Sequence, residues 1–312
     1  MSFAFIFPGQ GSQSVGMLGE LAAQFPLVKE TYAEASAALG YDLWRVVQEG
    51  PEAELNLTHI TQPAMLAGGV AVWRVWQAQG GARPAVMAGH SLGEYSALVA
   101  SGSLNFADAV QLVADRGRFM QEAVPAGAGA MAAILGLDDD RVIAVCAEAA
   151  QSEVVSAVNF NSPGQVVAAG HAAAVERAVA LAKEAGAKRA LVLPVSVPSH
   201  CSLMAPAAER LAERLASVAV VAPAIPVINN VDVKAESAAD ALRDALRRQL
   251  FMPVRWVEVI NAMSARGVGS VVECGPGKVL AGLNKRINKE MGTFETLDTD
   301  SLMKALETLK GE

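Results

Sequence analysis

The run Gly89-His90-Ser91-Leu92-Gly93 has the spacing of a nucleophile able to carry an acyl group. In the G-x-S-x-G pattern a serine sits on a strained turn between strand and helix with its hydroxyl exposed. The glycines are needed because a Cβ at either place would obstruct the close approach of the two elements. The pattern alone is moderately specific, and its neighbours sharpen it: Val86-Met87-Ala88 reads as the incoming strand and Glu94 to Val99 as the outgoing helix. The competing reading is a serine that only caps a helix N-terminus.

A serine nucleophile needs a base, most often histidine, and the chain has four. His90 adjoins the serine within the turn and should point elsewhere. His171 falls in the middle of the chain, and His59 precedes a helix in NLTHITQP. His200, in VSVPSHCSLM, stands where the chain returns from its middle section, so it can face a cleft and is the candidate base. A hydrogen-bonded structural histidine is the alternative there. A Cys201–His200 pair is disfavoured because sequence neighbours rarely face each other. Arg116 is the other informative side chain. Phe106, Ala109, Val110, Val113, Gly117 and Met120 form one helical stripe that includes Arg116 and leaves out Arg118. A guanidinium drawn into a buried face needs an anion, either an internal Asp or Glu or the carboxylate of a substrate.

Two glycine-rich stretches fail as nucleotide sites. FPGQGSQSVG has Ser14 where G-x-G-x-x-G requires its third glycine, and ECGPGKVL has Val279 and Val272 where a P-loop requires Ser/Thr and Gly. In FPGQGSQ the backbone amides after a strand could instead form half of an oxyanion hole.

The elements that must position these groups are those of an α/β protein with a mainly parallel sheet. Short apolar runs (3–7, 85–88, 225–228, 268–272) alternate with stretches of helical period (16–39 broken near Pro26, 62–79, 94–101, 106–123, 202–216, 237–250, 254–265). The middle reads differently. Strand 130–135, helix 138–150, strands 154–160 and 165–169, helix 172–185 and strand 189–195 give the order β-α-β-β-α-β of a ferredoxin-like unit. The expectation is therefore a discontinuous large domain, residues 1–124 and 196–312, with a ferredoxin-like subdomain inserted at 125–195 and a cleft at the join.

Composition narrows the function classes. A chain of 312 residues, 52% hydrophobic and 18% charged, can bury one large core or two modest ones. Net charge is −7 without a Lys/Arg block, which argues against nucleic acid as the main partner. Arg74 interrupts the best apolar run, Pro63 to Trp76, short of the roughly 18 residues a membrane span needs, and the N-terminus lacks a basic leader. Three widely spaced cysteines, Cys146, Cys201 and Cys274, fit neither a disulfide framework nor a structural zinc site. The expectation is a globular cytoplasmic protein that binds no metal, membrane or nucleic acid.

FPGQGSQ (7–13), TQPA (61–64), GHSLGEYSA (89–97), RG (116–117), NFNSPGQVV (159–167), VPSH (197–200) and ECGPGKVL (273–280), taken together and in this order, closely resemble the bacterial malonyl-CoA:acyl carrier protein transacylases. The resemblance runs along nearly the whole chain. It implies a hydrolase-like α/β domain with a ferredoxin-like insertion, Ser91 as the malonylated nucleophile and His200 as its acid and base. It further implies that Arg116 holds the malonyl carboxylate, that the amides of Gln10 and Leu92 form the oxyanion hole, and that the carbonyl at Gln249 orients the histidine. Asp232 in NNVDV stays open as a third member. The substrates implied are malonyl-CoA and the phosphopantetheine thiol of acyl carrier protein, joined in a ping-pong transfer for fatty acid biosynthesis without metal or redox cofactor, by a protein expected to be a monomer. Two basic pairs, Lys188-Arg189 and Lys285-Arg286, flank the expected cleft and are the candidates for attracting an acidic carrier protein.

Three other readings compete. A plain serine hydrolase would use water in place of the carrier thiol. An acyltransferase domain cut from a polyketide synthase is disfavoured because the chain runs from its first strand to just past its last helix without a linker. A non-enzymatic binding protein on this fold would form no covalent adduct with an acyl-CoA.

Overall fold

A computed structural model describes residues 2–195 and 197–310. Its organising strand is β1 (Phe3–Phe7, FAFIF), all five residues of which are buried. A strand apolar on both faces belongs at the centre of a parallel sheet covered on both sides. Here Phe3, Phe5 and Phe7 enter one core, where Phe5 packs edge-on against Trp73 and Trp76 of the helix Thr58–Ala78. Ala4 and Ile6 face the opposite core with Trp256, Ile260 and Met263.

The second strand, β2 (Val86–Gly89), lies beside β1 in register Phe7 opposite Gly89. Strands β3 (Gly129–Leu135), β4 (Val155–Ser162), β5 (Gln165–His171) and β6 (Arg189–Val192) form a separate antiparallel sheet in the order β4-β5-β3-β6. After it come β7 (Val227–Ile228), β8 (Ser270–Glu273) and β9 (Gly292–Glu295), which complete a five-stranded sheet in the order β7-β2-β1-β8-β9, every neighbouring pair parallel. The fold is the α/β class with a parallel sheet that the sequence pattern implies.

One face of the antiparallel sheet packs Ala132, Ile134, Val166 and Ala168 against the helices Asp139–Ala150 and Ala172–Glu184. Met131, Val158 and Val167, on the other face, meet Cys201. β4 is stitched to the segment leading into the helix Trp256–Ala265: Phe160 N donates to Val254 O at 3.0 Å and Val254 N to Val158 O at 2.8 Å.

Differences from the sequence reading have local causes. β6 ends at Val192 rather than 195, and Pro194, which has no amide to donate, lies just beyond its end. The helix expected from Gln62 starts at Thr58 and carries Pro63 inside it, because Thr58, Thr61 and Gln62 are all buried and packing overrides the proline signal. The half-buried edge strand β9 and the short helices Leu43–Glu49 and Glu52–Leu55 had no periodicity strong enough to read. The expected resumption at Ser196 lies outside the described residues.

Candidate active site

Ser91 sits between β2 and the helix Gly93–Ala100 with φ 51°, a left-handed conformation that a non-glycine residue adopts only when its surroundings enforce it. The flanking glycines explain how it is held. A Cβ on Gly89 would lie 1.8 Å from the carbonyl carbon of Gly93, and one on Gly93 would lie 2.0 Å from Phe7 O. Asn230, two residues past β7, clamps both limbs of the turn: its Oδ1 accepts from Ser91 N at 2.7 Å and its Nδ2 donates to Gly89 O at 2.7 Å.

The Ser91 hydroxyl is 2.8 Å from His200 Nε2, and His200 Nδ1 is 2.7 Å from the main-chain oxygen of Gln249. A carbonyl can only accept, so Nδ1 carries the proton and Nε2 is left to accept from the serine. His200 is 3% exposed. Burial, and then the charge of Arg116, push its pKa down to about 3, which keeps the imidazole neutral at neutral pH, with Nε2 unprotonated and able to accept. Asp232 is engaged elsewhere, in a two-pronged pair with Arg248 at 2.9 and 2.6 Å. The histidine's partner is a neutral carbonyl.

Gln10 and Leu92 each stand three residues past paired positions, Phe7 and Gly89, on adjacent parallel strands. Among the described residues neither of their amides donates to a protein acceptor.

Arg116 is buried to 1% exposure on the helix Phe106–Ala123, as its place in the apolar stripe implies. Its Nη1 donates to Gln62 Oε1 at 2.9 Å and its Nη2 to Gln249 Oε1 at 3.0 Å, with the Ser91 hydroxyl 3.5 Å away and the Tyr95 ring 5.5 Å from the guanidinium carbon. Among the described residues its Nε has no hydrogen-bond partner. Every group it touches is neutral, and among the described residues it forms no ion pair. The internal Asp or Glu that a buried cation calls for is not in contact. Glu94, itself buried, comes nearest through an intermediary: Gln249 Nε2 donates to Glu94 Oε2 at 2.9 Å. Burial pushes the Glu94 carboxyl up to about 7.

The other singled-out residues lie apart from this constellation. His90 turns away and pairs through Nε2 with Asn161 Oδ1 at 2.8 Å, its ring against Trp256. His171 Nδ1 accepts from Val154 N. Cys201 donates to Pro198 O, and burial pushes its thiol up to about 11. In ECGPGKVL the buried Glu273 accepts from Leu280 N and Ala281 N, so its carboxylate occupies the helix N-terminus that a phosphate would use. Among the described residues no group of His, Cys, Asp or Glu could hold a metal ion, and no helix is long and apolar enough to cross a membrane.

Gln62, Asn230, Glu94 and the Gln249 side chain belong to no motif that assigns them a role from sequence. The available signal was polarity out of place: Thr61-Gln62 opens a buried apolar helix, and Glu94 stands in the otherwise uncharged GEYSALVA.

A parallel-sheet α/β fold bearing such an elbow defines the class of serine acyl-enzymes, hydrolases and transferases alike, and residues 4–298 match the family model described as the acyl transferase domain. The chain is 62% identical to the malonyl CoA-acyl carrier protein transacylase of Escherichia coli K12, over 98% of this chain and 99% of that one. It is 66% identical to the protein of the same name from Salmonella typhimurium, over 91% and 92%. Among solved structures, a malonyl-transacylase in complex with a type II PKS acyl-carrier protein superposes with a TM-score of 0.98 at 58% identity, covering 99% of this chain and all of that one. The transacylase of Coxiella burnetii superposes with 0.98 at 51%, covering 100% and 98%. The chain belongs to the malonyl CoA-acyl carrier protein transacylases within the acyl transferase family.

Proposed function

We propose that the protein moves a malonyl group from malonyl-CoA to the phosphopantetheine thiol of acyl carrier protein, supplying fatty acid synthesis, through a malonyl ester of Ser91. The observation that carries the reading is a buried Arg116, without an ion pair among the described residues, whose Nη2 lies 3.5 Å from a serine hydroxyl already hydrogen-bonded to a neutral histidine. A hydrolase of uncharged esters has no use for that cation, whereas a malonyl thioester brings the carboxylate it lacks.

In the first half-reaction the Ser91 proton passes to His200 Nε2 as Oγ attacks the thioester carbonyl. The amides of Gln10 and Leu92 receive the developing oxyanion, and the Gln249 carbonyl steadies the imidazolium through Nδ1–H. Collapse breaks the C–S bond, and His200 returns its proton to the departing CoA sulfur. The carrier thiol then gives its proton to His200, attacks the malonyl-serine ester, and Ser91 leaves with that proton. Arg116 holds the malonyl carboxylate through both steps by a two-pronged contact. The steps balance with the groups of this chain and its two substrates, so no cofactor enters them.

The reading assigns residues 1–124 and 196–312 to one domain and 125–195 to an inserted subdomain, supported by their separate sheets and cores. Three free cysteines suit a reducing cytoplasm. The test is intact-mass measurement after incubation with malonyl-CoA alone. One malonyl adduct on Ser91, absent in a folded Ser91→Ala variant, is expected; malonyl transfer by that variant at the wild-type rate would overturn the mechanism.

A further inference from the structure

The Gln249 side chain is the hinge between the two charged groups at this site. Its Oε1 faces Arg116 Nη2, while its Nε2 donates to Ser91 O at 3.0 Å and to Glu94 Oε2 at 2.9 Å. An amide has one accepting and one donating end. Turned over, it would set its oxygen against two acceptors and its NH2 against a guanidinium, which also only donates. The orientation is therefore dictated by what lies around it, and the one acceptor there able to carry charge is Glu94.

We propose that Glu94 is a positioning residue: its carboxylate locks the Gln249 amide with Oε1 toward Arg116, and so aims the guanidinium at the acyl carboxylate. This rests on the reading of Arg116 as the malonyl partner. Glu94 is well placed for the task. It lies three residues past the nucleophile on the rigid first turn of the helix Gly93–Ala100 and is 2% exposed. The same Oε2 also accepts from Asn230 N at 2.9 Å, the residue that clamps the elbow. One oxygen thus ties the serine turn to the Gln249 amide. Because Oε2 takes both bonds, the carboxyl can be protonated on its other oxygen without releasing either. Aspartate, one methylene shorter, would not span from helix to amide.

The measurement is kcat/KM for self-acylation by malonyl-CoA and by acetyl-CoA, expressed as their ratio, in Glu94→Leu, Glu94→Gln, Arg116→Ala and Glu94→Gln/Arg116→Ala. Losses routed through His200, or through a fraction of unfolded protein, affect both acyl groups and cancel in the ratio. Glu94→Leu is expected to lower the malonyl-to-acetyl ratio by roughly 10- to 100-fold, the scale of one lost hydrogen bond to a charged group. Glu94→Gln keeps an accepting oxygen and falls between Glu94→Leu and wild type. Adding Glu94→Gln to Arg116→Ala changes the ratio no further, because the residue acts through the guanidinium. An unchanged ratio in both single Glu94 variants, with Arg116→Ala lowering it, overturns the role of Glu94 and leaves that of Arg116 standing. An unchanged ratio in Arg116→Ala overturns both.

Discussion

The two sheets serve the site very unequally. Parallel strands all end on one edge, so the chain leaving β1, β2 and β7 delivers Gln10, Ser91 with Leu92, and Asn230 to a single place, with the helix N-terminus at Gly93 pointing there too. Antiparallel strands end alternately on opposite edges. β4 reaches the elbow through a side chain, by the Asn161–His90 bond. The parallel sheet thus concentrates polar groups around Ser91, and the antiparallel sheet supplies a seam beside them.

This contrast can be broken by substitution on either side. His200→Ala, on the side of the parallel sheet, should slow acylation of Ser91 by about 10²- to 10⁴-fold, the usual contribution of a general base. The depressed pKa gives a further check. The imidazole stays neutral above its folded value of about 3, so acetyl-CoA self-acylation by the wild type should not halve as pH falls through 6.5. A titration centred there that persists in Glu94→Gln, which removes the carboxyl held at about 7, would mean that His200 is solvated in the working enzyme.

Arg116→Ala should lower kcat/KM for malonyl-CoA by roughly 10²- to 10³-fold, the penalty for stripping a partner from a buried charge, while acetyl-CoA transfer holds level or improves. Arg116→Lys should recover part of the loss, since a point charge cannot reproduce the planar fork. Equal losses for the two acyl groups would make Arg116 structural.

Across the seam, Asn161→Ala removes one neutral hydrogen bond to a residue that is not the base. It should reduce transfer about 2- to 10-fold, measured as kcat/KM with carrier protein. A loss as large as that of His200→Ala would end the division of labour between the sheets.

The smallest effect is expected at the rim. Lys285 and Arg286 are exposed in the last turn of the helix Val279–Ile287, and Arg286 donates to Gln165 Oε1 at the antiparallel hairpin. Reversing both charges should raise KM for carrier protein a few-fold at low salt and less at high salt. Self-malonylation from CoA should be unchanged, and an unaltered KM would place carrier docking elsewhere, with the exposed Lys188-Arg189 pair next in line.

The legible features were those whose physics is local. Strand, turn and helix around Ser91 lie within about a dozen residues, and the two glycines announce a steric need that the backbone confirms at 1.8 and 2.0 Å. The buried face of the helix Phe106–Ala123 follows from a period of 3.6, so Arg116 could be placed inside before anything was known of its neighbours. His200 could be preferred among four histidines because of where the chain returns. The assignments of Gln10 and Gln249 came from family likeness, since one unremarkable glutamine among several carries no pattern of its own.

What the sequence determined by itself was the kind of chemistry and the class of fold, because turn sterics, amphipathic period and strand alternation act over a few residues. Partner choice was decided by tertiary structure. Ser91 meets His200 across 109 residues, Arg116 meets Gln249 across 133, and Gln249 meets Glu94 across 155. Hydrogen bonds reach about 3 Å and have no memory of chain distance. Whether Arg116 would find an internal carboxylate or be left with neutral amides therefore depended on which side chains the packed cores brought within that reach.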